Sequence, residues 1–281
     1  MPRYGMIIDL SRCNGCYNCQ IVCKDEHVGN DFLPYSKAQP LSGQFWMRIE
    51  EKERGQFPRV LMTYFPIPCQ HCQNQAPCMN ADTTKAIKRR PDGIILIDPE
   101  KARGKKESVT SCPFGTIFWN EENQIPQKCT FCAHLLDAGW KEPRCVEACP
   151  TQAILFGDLD DPQSEVSKKM IEFETEALWG RNDLKPRVLY VALPKPFLSG
   201  TVALGDTDEC AIGAKVTLHD KSKGPFMEAV TDAFGDFQFD GLTPGHFYRL
   251  HVEMKGYFPY EIDIDFKGDT TLKEIFLKKT N

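Results

Sequence analysis

Cys13-Asn-Gly-Cys16-Tyr-Asn-Cys19-Gln-Ile-Val-Cys23 decides how this chain reads. The spacing is C-x2-C-x2-C-x3-C, in which three cysteines hold one [4Fe–4S] cube and the fourth reaches across to another. A tight loop with two-residue gaps wraps three corners of a cube, and the fourth thiolate must come from elsewhere. Such runs therefore occur in pairs. The partner here is split: Cys129-Thr-Phe-Cys132, then Cys145-Val-Glu-Ala-Cys149-Pro150, whose x3-C-P ending fits the same signature. By this cross-over rule Cys13, Cys16, Cys19 and Cys149 hold one cluster. Cys23, Cys129, Cys132 and Cys145 hold a second.

A third group is Cys69-Gln-His-Cys72, Cys78 and, much later, Cys112-Pro113. A complete second pair of runs would place four more cysteines at Asp82, Ala102, Lys105 and Ser108. Those four would all ligate one cluster, and all four are absent together. Cys69, Cys72, Cys78 and Cys112 remain as a full set for the other, so twelve clustered cysteines make three sets of four. The five residues between Cys72 and Cys78, where four are expected, call for a bulge. Cys210, the thirteenth cysteine, is a bystander thiol.

The competing chemistry is zinc. Paired C-x2-C units a dozen residues apart also describe structural zinc sites. Cys129/Cys132 with Cys145/Cys149 would pass alone, but the four-cysteine run does not suit the paired knuckles of tetrahedral zinc. A net charge of −5, with 34 basic against 39 acidic residues, argues against a nucleic-acid binder. No apolar run approaches the ~18 residues of a membrane span. The N-terminus reaches its first cysteine too soon for a signal peptide, so a cytoplasmic location is expected, where clustered cysteines bind metal rather than one another. No Walker A, G-x-S-x-G or G-x-G-x-x-G motif is present, and no catalytic residue is assigned.

Among the flanking residues, His71 is expected to pack or hydrogen-bond near the third set, or to face a partner. Lys128 and Arg144 adjoin cysteines of the second set, where positive charge would raise a cluster's potential or simply decorate the surface. Phe114, Phe118, Trp119 and Phe131 are expected to exclude water from the clusters.

Tyr4–Leu10, 93–98 and 153–157 read as strands, each beside a region of ligands. Residues 30–68 form a long insertion without strong periodicity. Asp161-Pro162 reads as an N-cap and first helical position, and Val166, Met170, Phe173 and Ala177 recur at helical spacing up to Gly180, predicting a helix near 162–179. Pro194-Lys195-Pro196 marks a linker between domains 1–195 and 199–281. Beyond it, Val216/Leu218, Phe237/Phe239, Leu250/Val252/Met254 and Ile262/Ile264/Phe266 alternate with period two between turn signals, predicting seven strands in a sandwich of about eighty residues. The fold class is thus α+β: a double ferredoxin-like [4Fe–4S] domain followed by a seven-stranded β-sandwich.

Four segments carry a resemblance: Trp46-Met-Arg-Ile-Glu-Glu-Lys-Glu-Arg-Gly55, Pro68-Cys-Gln-His-Cys72, Asp92-Gly-Ile-Ile-Leu-Ile-Asp-Pro-Glu-Lys101 and Gln127-Lys-Cys-Thr-Phe-Cys-Ala-His134. With the cysteine order, they resemble the four-cluster iron–sulfur subunits of the dimethyl sulfoxide reductase family of molybdopterin enzymes, minus one cluster. The likeness is closer to the small subunits of the pyrogallol–phloroglucinol transhydroxylase type, which keep three sets and end in a seven-stranded sandwich. The tail, with Thr231-Asp-Ala-Phe-Gly-Asp-Phe-Gln-Phe239 and Gly241-Leu-Thr-Pro-Gly245, resembles sandwiches of the carboxypeptidase-regulatory, Cna-B or transthyretin-like kind. The resemblance implies a large partner chain carrying molybdenum or tungsten on a bis-pterin guanine dinucleotide, where a phenolic ring is hydroxylated, dehydroxylated or transhydroxylated. It leaves room for an external electron donor or acceptor. The alternatives are service to another molybdopterin oxidoreductase, a stand-alone polyferredoxin, and a binding role for the sandwich.

Overall fold

The computed structural model describes residues 1–221 and 227–280. It divides the chain into two units: Met1–Lys52 with Tyr64–Leu193, and Glu53–Thr63 with the chain from Pro194 onward. In chain order, β1 (Tyr4–Asp9) and α1 (Asn18–His27) are followed by a long hairpin, β2 (Arg48–Gln56) and β3 (Arg59–Ile67). Next come α2 (Pro77–Ala81), the short hairpin β4 (Ile87–Arg89) and β5 (Ile95–Ile97), and α3 (Glu107–Ser111). A second short hairpin, β6 (Phe118–Asn120) and β7 (Ile125–Gln127), leads into α4 (Ala133–Asp137) and α5 (Arg144–Glu147). β8 (Ile154–Asp158), α6 (Glu165–Glu172) and β9 (Val188–Val191) complete the first unit.

β1 is the middle strand of a three-stranded sheet, antiparallel to β8 and parallel to β9. Its run Gly-Met-Ile-Ile is buried throughout because both faces are covered. Met6 and Ile8 point into the main core, whereas Ile7 packs with Val166 of α6 and Val191 on the other side. The main core is not purely apolar. Cys19, Cys23, Cys69, Cys72, Cys129 and Cys145 are members of it, alongside Trp46, Phe114, Phe131 and Tyr190.

Two readings of the sequence need correction. The helix near 162–179 is shorter: Ser164, not Asp161, is the N-cap and accepts from Ser167 N, and the helix ends at Phe173, whose φ/ψ of −127/147 is extended. Val166 is buried, but Met170 and Phe173 stand half-exposed, so the apolar spacing over-extended the helix. The insertion 30–68 contains the β2–β3 hairpin, hidden because Arg48-Ile-Glu-Glu-Lys-Glu-Arg has almost no apolar alternation. The hairpin's outer part belongs to the second unit, where Arg54 forks onto both carboxylate oxygens of Asp269 at 2.8 Å.

The second unit is a two-sheet sandwich. One sheet is centred on β10 (Phe197–Leu204). The other contains β11 (Lys215–Asp220) and β12 (Met227–Val230). β13 (Asp236–Asp240) joins the first sheet, and β14 (His246–Glu253) and β15 (Tyr260–Phe266) extend the second. β16 (Thr270–Thr271) and β17 (Ile275–Leu277) run along the same strand, β10, and the register slips by one residue between them. Eight strands are described where seven are expected, because a bulge splits the last one. Leu198, Val202, Val216, Leu218, Phe237, Phe239, Leu250, Val252, Phe266 and Leu277 fill the space between the sheets, each contributing about 2 kcal/mol relative to exposure.

The turn before β13 packs tightly on β10. Gly235 has φ +77°, donates its N–H to Asp232 O at 3.0 Å, and a Cβ there would collide with the carbonyl oxygen of Val202. G235A is therefore expected to destabilise the sandwich by about 2 kcal/mol, lowering its melting transition by roughly 10 °C. Scanning calorimetry of the full chain measures this, with iron content expected to stay at the native level.

Candidate metal centres

Every ligand loop begins with the same local turn. Gly15, His71 and Phe131, each two residues after a cysteine, have φ of 70°, 43° and 52°. That left-handed residue turns its N–H back on the preceding thiol: His71 N donates to Cys69 Sγ at 3.5 Å and Phe131 N to Cys129 Sγ at 3.4 Å. Gly15 N makes the same bond to Cys13. Glycine is required at position 15 because a Cβ would strike the ring of Tyr64. Hydrogen bonds of this kind favour the thiolate, the form that binds metal.

Short helices distribute the remaining ligands. Cys19 and Cys23 lie one turn apart on α1, facing inward and both buried. Cys145 lies on α5 and Cys149 follows its C-cap, again four residues apart, and α1 packs on α5. α1 thus carries one cysteine of each of the first two predicted sets, and α5 carries one and leads into the other. α2 and α3 repeat the device: α2 carries Cys78, α3 runs into Cys112, and the two pack together. Asp82 and Ser108 occupy the positions four residues away.

The buried thiols raise one another's pKa values in groups. Cys19 is pushed up to about 12 by burial, then by Cys13, Cys149 and Cys16. Cys145 is raised well above its ordinary value by burial, then by Cys132, Cys129 and Cys23. Cys72 is pushed up to about 12 by burial, then by Cys69, Cys78 and Cys112. Weaker effects link neighbouring thiols across the groups. Cys19 acts weakly on Cys23 and Cys145, joining the first set to the second, and Cys69 acts on Cys129, joining the second to the third. The four cysteines of the middle set are all buried, and they line one small pocket together with His27, Trp46 and Phe131. Cys16 is exposed at one end, and Cys78 and Cys112 are half-buried at the other.

The donor set fits cubes. Among the described residues, no three His, Cys, Asp or Glu side chains converge tightly enough to hold a single ion, as four ligands about 2.3 Å from one zinc must. A cube takes one thiolate at each of four irons and asks only that the four border a common space. Gln75, at φ +41°, turns the chain between Cys72 and Cys78 and accommodates the longer gap.

The flanking residues divide more sharply than their sequence positions suggest. His71 is fully buried, so it faces no partner: its Nδ1 accepts from Ile95 N at 3.0 Å and its ring lies 3.9 Å from that of Phe131. Arg144 stays beside the second set, paired with Glu26 at 3.3 Å and with Glu147. Lys128 is instead buried and turned toward Cys69 of the third set. Phe114 and Phe131 are buried and Phe118 and Trp119 partly so, consistent with exclusion of water. Sequence reasoning missed Glu26 and His134, which share a 3.0 Å contact beside Cys132. Glu26 could have been found by its place one helical turn beyond Cys23.

The missing fourth set has a location. Asp82, Ala102, Lys105 and Ser108 all line one small pocket between α2 and α3. Asp82 now organises a local turn, accepting from Thr84 N, Thr84 Oγ1 and Ile87 N at 2.6–2.9 Å. Ser108 Oγ is buried without a partner among the described residues.

Such a fold, with paired cysteine loops around a buried space, defines an iron–sulfur electron-transfer protein. Residues 60–159 match the family model described as a 4Fe-4S dicluster domain, and residues 198–277 match the carboxypeptidase regulatory-like domain. The chain is 42% identical over 263 residues to the pyrogallol hydroxytransferase small subunit of Pelobacter acidigallici, covering 91% of this chain and 92% of that one. It is 34% identical, over 68% of this chain and 79% of the other, to a Halobacterium salinarum protein named for a dimethyl sulfoxide reductase iron–sulfur subunit. It is 31% identical to the arsenate respiratory reductase iron–sulfur subunit of a Shewanella species, over 67% of this chain and 96% of that one. The chain belongs to the iron–sulfur subunits of the dimethyl sulfoxide reductase family of molybdopterin oxidoreductases, and within them to the pyrogallol hydroxytransferase-like small subunits.

Cys16 and Cys210 are both exposed, but only Cys16 is expected to be masked by iron. Anaerobic maleimide labelling of the native protein should modify Cys210 alone, and all thirteen cysteines after chelation in denaturant. Peptide mapping by mass spectrometry reads the result, and native labelling of Cys16 would remove it from the ligands.

Proposed function

We propose that the chain carries three [4Fe–4S] clusters: on Cys13, Cys16, Cys19 and Cys149; on Cys23, Cys129, Cys132 and Cys145; and on Cys69, Cys72, Cys78 and Cys112. Its iron–sulfur domain, 1–195, serves a large partner subunit that holds molybdenum or tungsten on two pterins and hydroxylates, dehydroxylates or transhydroxylates a phenolic ring. The observation that carries the reading is the division of twelve thiols into three mutually interacting sets in a linear order. When bound, the clusters supply one-electron transfer, while the protein spaces them, excludes water from the middle one and leaves the two ends nearer the surface. The phenolic substrate is supported by the 42% identity to a pyrogallol hydroxytransferase small subunit. Moving a hydroxyl group between phenols needs no net electrons, whereas adding or removing one does, so an external donor or acceptor belongs only to the latter case.

A second reading, service to a different molybdopterin oxidoreductase, is favoured by the similarity to the arsenate reductase subunit. It differs in substrate, not in this chain's role. No helix among the described residues is long and apolar enough to cross a membrane. The sandwich, 199–281, contributes no cysteine to the sets and is assigned to stabilisation or docking.

Iron and sulfide analysis of the anaerobically purified complex should give about twelve of each per chain, and four or fewer would overturn the reading. Molybdenum or tungsten should co-purify. Turnover of pyrogallol, resorcinol or catechol, with and without an electron acceptor, separates transhydroxylation from net redox chemistry, and turnover of none of them favours the second reading.

The pocket at Asp82 yields a further expectation. Replacing Asp82, Ala102, Lys105 and Ser108 together by cysteine should raise the iron content from about twelve to about sixteen per chain after reconstitution. Iron unchanged in a folded variant would show that α2 and α3 no longer frame a cluster.

A further inference from the structure

Lys128 stands where the second and third sets meet. It is 2% exposed, and its ammonium donates to Ile95 O and, at 3.0 Å, to Cys129 O. Its third donor faces Cys69, and its charge also acts on Cys78 and Cys129. Among the described residues, no carboxylate oxygen lies within ion-pairing distance of it, in contrast to Arg144, which has Glu26 and Glu147. The peptide of Ile95 fixes the arrangement from both sides, its carbonyl holding Lys128 and its N–H holding His71 Nδ1. A buried ammonium needs an anion, and carbonyl dipoles alone do not supply one. Among the described residues, the anions its surroundings offer are the thiolates of Cys69, Cys78 and Cys129 and the charge of whatever they bind.

We propose that Lys128 is a fixed internal counter-ion that raises the reduction potential of the cluster on Cys69, Cys72, Cys78 and Cys112. It acts more weakly on the cluster reached through Cys129 and not on the cluster at Cys13. One-electron reduction adds one negative charge, and a nearby buried cation stabilises that state with little screening by salt. The effect is graded: the charge of Lys128 acts on Cys69 and Cys78 of the third set, on Cys129 of the second, and on no cysteine assigned to the first. This inference rests on the three-cluster reading above.

The test is an EPR-monitored redox titration of the intact complex carrying Lys128, K128R or K128M, with iron counted on each sample. K128M should lower the third cluster's one-electron equilibrium constant by a factor of about ten or more, about 59 mV, with a smaller shift of the second and none of the first. K128R, which keeps the charge, should leave all three near their native potentials. If K128M fails to retain its iron, K128Q, which keeps a donor but no charge, takes its place. Unchanged potentials in a fully loaded K128M or K128Q, or an equal shift of all three clusters, would overturn the proposal. Native protein with far fewer than about twelve irons would instead refute the cluster count itself, before any variant is compared.

Discussion

Twelve clustered thiols, seven of them buried, are the constraint on which the rest of the first unit depends. Burial pushes Cys19, Cys72 and Cys132 up to about 12 and Cys78 and Cys129 to about 11, and it raises Cys23 and Cys145 well above the ordinary thiol value. In each case burial is the first cause, and nearby thiols generally add to it. At neutral pH, without metal, these side chains are neutral thiols in an apolar core. Binding cationic iron displaces the protons, and the free energy of that exchange is added to folding. The left-handed turns at Gly15, His71 and Phe131 prepare the exchange by aiming backbone N–H groups at sulfur. A core built this way is incomplete as hydrocarbon alone, because six of its members are cysteines.

The same arrangement explains how the protein separates neighbouring sets. α1 holds Cys19 and Cys23 a single helical turn apart, and α5 holds Cys145 with Cys149 just beyond its C-cap, so on the predicted sets neither can shift without the other. Aromatic rings close the second junction: Phe131, inside a loop of the second set, lies against His71, inside a loop of the third. His71 is driven well below its ordinary value by burial and by Lys128, so it stays neutral beside a lysine that does not share its charge with any carboxylate. Charge near the second set is balanced, with Arg144 and Glu26 paired. Charge near the third is not, and that asymmetry is a property of side-chain direction rather than of composition.

Much of this was legible in the sequence, for a physical reason. Metal ligation demands specific residue types at specific separations, so the cysteine pattern carries its geometry with it. The alternating strands around Val216, Phe237, Leu250 and Ile262 were legible because one face of each is covered and the other is not. β10 was not, since Phe197-Leu-Ser-Gly-Thr-Val-Ala is buried on both faces and has no alternation to read. The hairpin at 48–67 was hidden by its charge, and α6 was overdrawn because Met170 and Phe173 keep helical spacing while remaining half-exposed. Lys128 looked like one of two equivalent cations. Its burial and its turn toward Cys69 depend on the β7 strand that delivers it, which the sequence around Gln127 does not disclose.

The closed pocket between α2 and α3 bears on where electrons can go. The four positions that would complete a fourth set still border one space, so the helical frame outlasts the ligands. Asp82 has been absorbed into a turn by three hydrogen bonds and is held below the usual carboxylate range, its burial outweighed by those donors. Ala102 and Ser108 leave nothing that binds iron. On the three-cluster reading, the path from Cys13 therefore stops at the set on Cys69, and a cation buried at that set works on the last cluster rather than on an intermediate one.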